Sequence, residues 1–259
     1  MGKLDGKTVI LTGASSGLGK QQAIRIAEEG ANLAICARTR NKLDETRALC
    51  EQAGATVLAM PVDITDYDAL ADFVAATADA FGTIDTLVNN AHTVTTPAPF
   101  LEKTIEDLDT EMRSSVYAYW HLMKLCFPHM QDHEGAGASI INFASEVGIT
   151  GEALYAPYAA SKEAVRALSR VVAREWGVHN IRVNTICPNG LTDNIAQGID
   201  WMPTETREHI ERLFVANPFR RPGDPYSDVA PVTVFLASDD SRWLTGQNLN
   251  AAGGGLITA

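Results

Sequence analysis

Thr8-Val9-Ile10-Leu11-Thr12-Gly13-Ala14-Ser15-Ser16-Gly17-Leu18-Gly19 decides the fold. A short β-branched run enters a loop with glycines at 13, 17 and 19, and an amphipathic helical pattern starts directly behind them. A dinucleotide-binding turn has this setting. Gly13 makes the tight turn, Gly17 lets a pyrophosphate approach the backbone, and Gly19 lets helix and strand pack closely, with the helix N-terminus facing the phosphates. Turn formation alone is the other use of the same glycines.

Outward from this loop, apolar runs alternate with longer amphipathic stretches, which is the pattern of parallel βαβ units. Strands are expected at Thr8–Leu11, Asn32–Cys36, Thr56–Met60, Thr83–Val88, Ala138–Phe143, Ile181–Ile186 and Gln247–Asn250. Helices are expected at about Gly17–Glu29, Asn41–Ala53, Asp66–Phe81, Thr104–Met130, Tyr158–Val178 and Ser227–Ala237. The fold class that follows is α/β: one doubly wound domain over residues 1–259, with a mainly parallel seven-stranded sheet flanked by helices. Residues 194–221 interrupt the alternation with Trp201, Met202, Phe214 and Phe219 among charged residues. Two readings stand for this insertion, a substrate lid and a cover for the sheet edge.

Composition excludes several classes. The 259 residues are 46% hydrophobic and 20% charged, with a formal net charge of −11, which suits a packed domain and disfavours nucleic acid or an anionic membrane as partner. Cys36, Cys50, Cys126 and Cys187 have no metal-ligand spacing and read as reduced, packed thiols, so no metal is expected. The first residues lack the apolar segment of a signal peptide and no apolar run is long enough to span a bilayer, so the cytoplasm is the expected compartment.

The spacing T-G-x-x-x-G-x-G resembles the short-chain dehydrogenase/reductase family, and the likeness runs over residues 5–255. It continues in Asp63-Ile64, Asn89-Asn90-Ala91, Tyr158-Ala159-Ala160-Ser161-Lys162, Arg182-Val183-Asn184 and Leu244-Thr245-Gly246-Gln247. The resemblance implies a Rossmann-like fold and oxidoreductase activity on a small ketone or alcohol. It also implies cofactor contacts from Gly13, Ser15, Ser16, Gly17, Leu18, Gly19, Asp63, Ile64, Asn90, Tyr158, Lys162, Leu191 and Thr192. Two positions depart from the family: His92 follows Asn89-Asn90-Ala91 where glycine is usual, and Asn189 follows Pro188. Asn tolerates left-handed backbone, whereas His92 brings a titratable ring that either meets substrate or packs locally.

Cofactor choice depends on the end of the second strand. The family's NAD enzymes carry Asp where this chain has Ala37, and Arg38 comes next. A guanidinium can hold a 2′-phosphate bidentately, and no carboxylate is present to repel it, so NADP(H) is favoured and NAD(H) is possible. Stacking on adenine is the alternative use of Arg38.

Carbonyl reduction needs a proton donor beside the oxygen, and oxidation runs the same transfer backwards. Tyr158 and Lys162 lie four apart and share one helix face. An ammonium beside the phenol would lower its pKa. In the family the Ser thirteen residues earlier, here Ser145, helps to hold the substrate oxygen. An Asn of the preceding long helix usually anchors a relay water, and that position is Ser115 here, which leaves the relay open. Tyr155 reads as pocket wall, with Val147, Ile149, Leu154, Trp201, Met202 and Phe214 suggesting an apolar, cyclic substrate. A cofactor-binding regulator and a non-redox lyase or isomerase are the competing functions. The resemblance further implies a homotetramer or homodimer that pairs the two long helices, with Leu168, Val171 and Val172 on their outer faces.

Overall fold

The computed structural model describes residues 2–131, 133, 135, 137–192, 198, 200–202 and 204–257. Seven strands form one sheet: β1 (Thr8–Thr12), β2 (Asn32–Ala37), β3 (Val57–Pro61), β4 (Thr86–Asn89), β5 (Ala138–Phe143), β6 (Ile181–Pro188) and β7 (Asn248–Ala251). Their order is β3-β2-β1-β4-β5-β6-β7 and all six pairings are parallel. The order reverses between β1 and β4, which opens a crevice at the carboxyl ends of those strands.

The helices are α1 (Gly17–Glu28), α2 (Arg40–Gln52), α3 (Tyr67–Phe81), α4 (Ile105–Met112), α5 (Ala118–Met130), α6 (Glu146–Thr150), α7 (Ala156–Trp176), α8 (Thr204–Val215) and α9 (Ala230–Ala237). Strand alternation divides the core between the two sheet faces. Ile10, Ala34, Leu87, Ile140 and Val183 meet α3, α5 and α7 on one face. Val9, Leu11, Leu33, Ile35, Val88 and Ile186 meet α1, α2 and α9 on the other.

Three expectations need correction. The fourth strand begins at Thr86, because the Asp85 carboxylate turns inward to accept from the Thr8 N–H at 2.8 Å and the Thr83 hydroxyl at 3.3 Å. The expected helix over Thr104–Met130 is three segments: α4, a π-helical turn over Arg113–Tyr117, and α5. A capping box between Thr104 and Asp107 starts it. On α7, only Val171 of the three expected outward apolar residues is exposed, since Val172 is core and Leu168 packs against it.

Buried amides fix the elements that carry the site. Asn89 Nδ2 donates to Asn142 Oδ1 at 2.7 Å, and Asn142 Nδ2 donates to Ser169 Oγ at 2.9 Å. These bonds tie β4, β5 and α7 together. A second set sits under the glycine loop: Asn90 Nδ2 donates to the Thr12 carbonyl at 2.9 Å, Gln22 Nε2 to Asn90 Oδ1 at 3.2 Å, and Thr233 to Gln22 Oε1 at 3.1 Å.

Candidate active site

The glycine loop closes one side of the crevice. Gly13 and Gly17 have φ of +75° and +52°, where a side chain would be strained. A Cβ on Gly19 would lie 2.2 Å from the Gly13 carbonyl oxygen, so α1 touches the loop that leaves β1 there. Added at Gly17, a Cβ would project to 3.4 Å from Thr192, filling the gap between the loop and the segment after β6. Leu191 holds that segment by donating its N–H to the Gly223 carbonyl at 3.1 Å. No acidic residue occupies the first turn of α1, so the helix dipole faces the crevice with no carboxylate of its own against it.

A dinucleotide fits this arrangement: a loop with glycine at 13, 17 and 19, a helix N-terminus without acid, and an exposed cation at the end of β2. Ala37 is buried and Arg38 is exposed. Arg38 acts electrostatically on Asp63, whose carboxylate is held below its ordinary pKa chiefly by the Thr65 N–H. Beside exposed Asp63, Ile64 is buried. Ser15, Ser16 and Leu18 are half-buried along the loop, Leu18 with its side chain against the core. Together these residues would hold phosphates, adenine and its ribose.

Across the crevice lie the residues expected to carry the chemistry. Ser145 is the N-cap of α6, its Oγ accepting from the Val147 N–H at 3.2 Å. Pro157 occupies the first turn of α7, and Tyr158 and Lys162 follow on the face that meets the sheet end. Lys162 is completely buried; its Nζ donates to the Phe143 carbonyl at 2.9 Å and lies 5.7 Å from the Tyr158 ring centroid.

Burial lowers the Lys162 ammonium to about 7 and pushes the Tyr158 phenol up to about 12, with a hydrogen bond from Ser145 opposing the latter. The sequence leads one to expect an ammonium that depresses the phenol. Instead, Lys162 spends its bond on a main-chain carbonyl, and desolvation governs both groups.

Ser115 is also completely buried, in the π-helical turn that packs on α7, and its Oγ has no partner among the described residues. His92 borders Tyr158 at 5.7 Å between ring centroids, with Nδ1 3.2 Å from the Asn90 carbonyl. That contact places the proton on Nδ1 and leaves Nε2 as an acceptor. The ring is reachable from the crevice, and surrounding protein together with Lys162 keeps it neutral.

An apolar cleft of about 540 Å³ opens beside Tyr155, lined by Ala98, Pro99, Phe100, Leu154 and Ala159 among others. Leu154 lines it as expected, whereas Val147, Ile149, Tyr155, Trp201, Met202 and Phe214 do not; Phe100, which was not expected, lies in a single 3-10 turn that carries no periodic signal. The expected insertion supplies α8, and His209 Nε2 lies 3.0 Å from Glu152 Oε1 at the cleft edge. Trp201 is exposed and Met202 half-buried, while residues 193–197, 199 and 203 lie outside the described residues. Among the described residues there is no group of His, Cys, Asp or Glu side chains able to hold a metal, and no helix long and apolar enough to cross a membrane.

Known proteins place the chain. The family profile described as Enoyl-(Acyl carrier protein) reductase matches residues 13–255. A 12alpha-hydroxysteroid dehydrogenase of Clostridium sp. is 36% identical, with 98% of each chain covered. A solved 7 alpha-hydroxysteroid dehydrogenase complexed with NADH and 7-oxo glycochenodeoxycholic acid is 31% identical, superposes with a TM-score of 0.88, and is matched over 98% of this chain and 96% of its own. NAD+-bound xylitol dehydrogenase is 30% identical with a TM-score of 0.89, over 97% of this chain and 100% of its own. With its doubly wound parallel sheet and glycine loop at the switch point, the chain belongs to the short-chain dehydrogenase/reductase family and is an NAD(P)-dependent oxidoreductase.

Proposed function

We propose that this oxidoreductase interconverts a ketone and a secondary alcohol on an apolar, cyclic substrate, with NADP(H) preferred over NAD(H). The observation that carries the reading is the meeting of Ser145, Tyr158 and Lys162 across the crevice from a loop with glycine at 13, 17 and 19. A nicotinamide dinucleotide bound there supplies or accepts the hydride. Tyr158 gives its proton to the substrate oxygen in reduction and recovers it in oxidation. Ser145 donates to the same oxygen as charge develops on it. Lys162 restores the Tyr158 proton, and Ser115 sits behind it as a hydroxyl able to hold a relay water.

The hydroxysteroid relatives and the apolar cleft favour a ring substrate. Leu154 and Glu152 line that cleft beside Tyr155, and α8, tied to Glu152 through His209, serves as its lid. A regulatory or non-redox role would not require the Ser145, Tyr158 and Lys162 set to be kept with an open glycine loop. Exposed Tyr117, Trp120 and Val171 on α5, α7 and the turn before α5 supply the face of a homo-oligomer, a tetramer or dimer.

Absorbance at 340 nm with NADPH or NADH and a panel of linear, monocyclic and steroidal ketones tests the reading. Turnover should be greatest with NADPH and ring ketones. Arg38→Ala should then cost about 1.5–3 kcal/mol of NADPH binding and leave NADH binding nearly unchanged. Equal losses for the two cofactors would remove the phosphate-binding role of Arg38.

A further inference from the structure

We propose that Glu111 is a positioning residue that moves protons between Lys162 and the surface, along a route through Thr95 and Lys103. The inference rests on the Tyr158 and Lys162 chemistry proposed above. It starts from a side chain that the reaction has so far left unused: a carboxylate with no solvent exposure at the last turn of α4.

Its two oxygens are treated differently. Oε1 accepts from the Thr95 N–H at 2.7 Å and from the Thr95 hydroxyl at 3.1 Å. Lys103 Nζ in turn donates to that hydroxyl at 2.9 Å. The donors therefore point one way, from the partly exposed Lys103 through Thr95 to Glu111. Buried Oε2 has no partner among the described residues, and neither has Ser115 Oγ nor Tyr119 Oη. These three groups recur every fourth residue through the π-helical turn and so line one side of it. Lys162 lies on that side, its Nζ 5.5 Å from the Tyr119 ring centroid, and Glu111 and Lys162 act on each other electrostatically.

A structural staple would not need this residue. Ser114 pins the same loop by accepting from the Thr93 N–H at 3.0 Å, with a neutral hydroxyl. A carboxylate buried without full hydrogen bonding costs several kcal/mol. Burial raises the Glu111 carboxyl above its ordinary range, against the downward pull of Thr95, Lys162 and Lys103.

In the reductive direction each turnover removes one proton from the site. Glu111, protonated on Oε2, gives that proton to the Lys162 amine by way of water held at the Ser115 hydroxyl, as Oε1 takes the Thr95 proton. Thr95 takes one from the Lys103 ammonium, and Lys103 regains it from solvent. The cycle leaves the Glu111 proton on Oε1, a half-turn of the carboxyl about its Cγ–Cδ bond returns it to Oε2, and oxidation reverses each transfer.

Glu111→Gln separates relay from staple, because an amide oxygen still accepts from the Thr95 N–H but cannot carry the proton. Expected are a fall in kcat of roughly tenfold, an unchanged ketone KM, and a larger solvent deuterium isotope effect on kcat. Added imidazole should restore part of the rate. Glu111→Asp should retain more activity than the Gln variant. Thr95→Val removes the hydroxyl while sparing the main-chain bond, and should reproduce the kinetic effect; it carries the test alone if Glu111→Gln does not fold. Parent-like kcat and isotope effect in a folded variant, with the parent active, would overturn the relay. A parent inactive on every ketone overturns the underlying carbonyl chemistry, and the inference with it.

Discussion

Gln22, Asn90 and Thr233 on one side of the switch point, and Glu111, Ser115 and Tyr119 on the other, are equally shut away from solvent, yet their hydrogen bonding differs. In the first set each amide oxygen and the hydroxyl between elements has a partner, and the bonds join the glycine loop to α1 and α9. Every member of the second set keeps one polar atom without a partner among the described residues. A satisfied network specifies one geometry, as a loop that must hold phosphates requires. An unsatisfied one retains capacity to bind and pass protons, at a cost in stability. The comparison thus separates a region built for shape from one built for chemistry, and variants on each side should fail in different ways.

The largest effect expected is on the chemical side. Tyr158→Phe removes the acid/base proton and leaves the ring in place, so kcat should fall about 10²- to 10⁴-fold with cofactor binding and melting temperature retained. Steady-state kinetics beside a cofactor titration check it; parent-like turnover would eliminate Tyr158 as the proton donor.

On the shape side, Gln22→Leu has similar volume but leaves Asn90 Oδ1 and the Thr233 hydroxyl without the partners they have now. A loss of about 1–3 kcal/mol is expected for each buried group left unpaired, at about 2–4 °C in Tm per kcal/mol for a chain of this size. The kcat of the folded fraction should be unchanged. A variant that loses turnover without losing stability would erase the distinction drawn between the two regions.

Stability against pH gives a subtler test. Folding lowers Lys162 from the ordinary amine range to about 7, so the unfolded chain binds more protons than the folded one from about pH 7 upward. The Lys162 contribution therefore rises with pH. It is best read below about pH 9, above which thiols freed on unfolding ionise; all four cysteines are buried, and burial raises each thiol well above its ordinary range when folded. Between pH 7 and 9 the parent Tm should climb relative to that of Lys162→Met. Parallel curves would mean that the amine is not desolvated as its position implies.

How far each region was legible in the sequence follows the same division. The glycine loop announces itself because backbone geometry disfavours other residues at Gly13, Gly17 and Gly19, and the inner strands are legible because a parallel sheet buried on both faces demands apolar runs, whereas half-buried β7 reads Asn-Leu-Asn-Ala. Tyr158 and Lys162 are legible through helical spacing. Glu111 is not: within an amphipathic pattern an acid reads as solvated, and it is buried only because the loop through Thr95 folds over α4. Its spacing from Ser115 and Tyr119 was the available signal. The π-helical turn was hidden as well, since residues Arg113–Tyr117 carry no Pro or Gly to mark a change of pitch.

Ser115 offers the smallest expected effect and the sharpest separation of accounts. Its hydroxyl is buried without a partner among the described residues, in a turn packed on the helix that carries Lys162. If that hydroxyl serves proton transfer, Ser115→Ala lowers kcat several-fold, well below the loss on removing a direct acid/base group, with little change in KM, because the contribution arises mainly in the transition state. Ser115→Asn then preserves or raises the rate, since a carboxamide offers more donors and acceptors at longer reach. If Ser115 is instead a small residue chosen for helix packing, Ala is neutral in kcat. Asn then overpacks a site with no exposure and costs roughly 1–3 kcal/mol, read as a lower melting temperature. Measuring kcat and Tm on both variants decides the matter, and a fully active, fully stable Ser115→Ala protein would leave Glu111 to reach Lys162 without that hydroxyl.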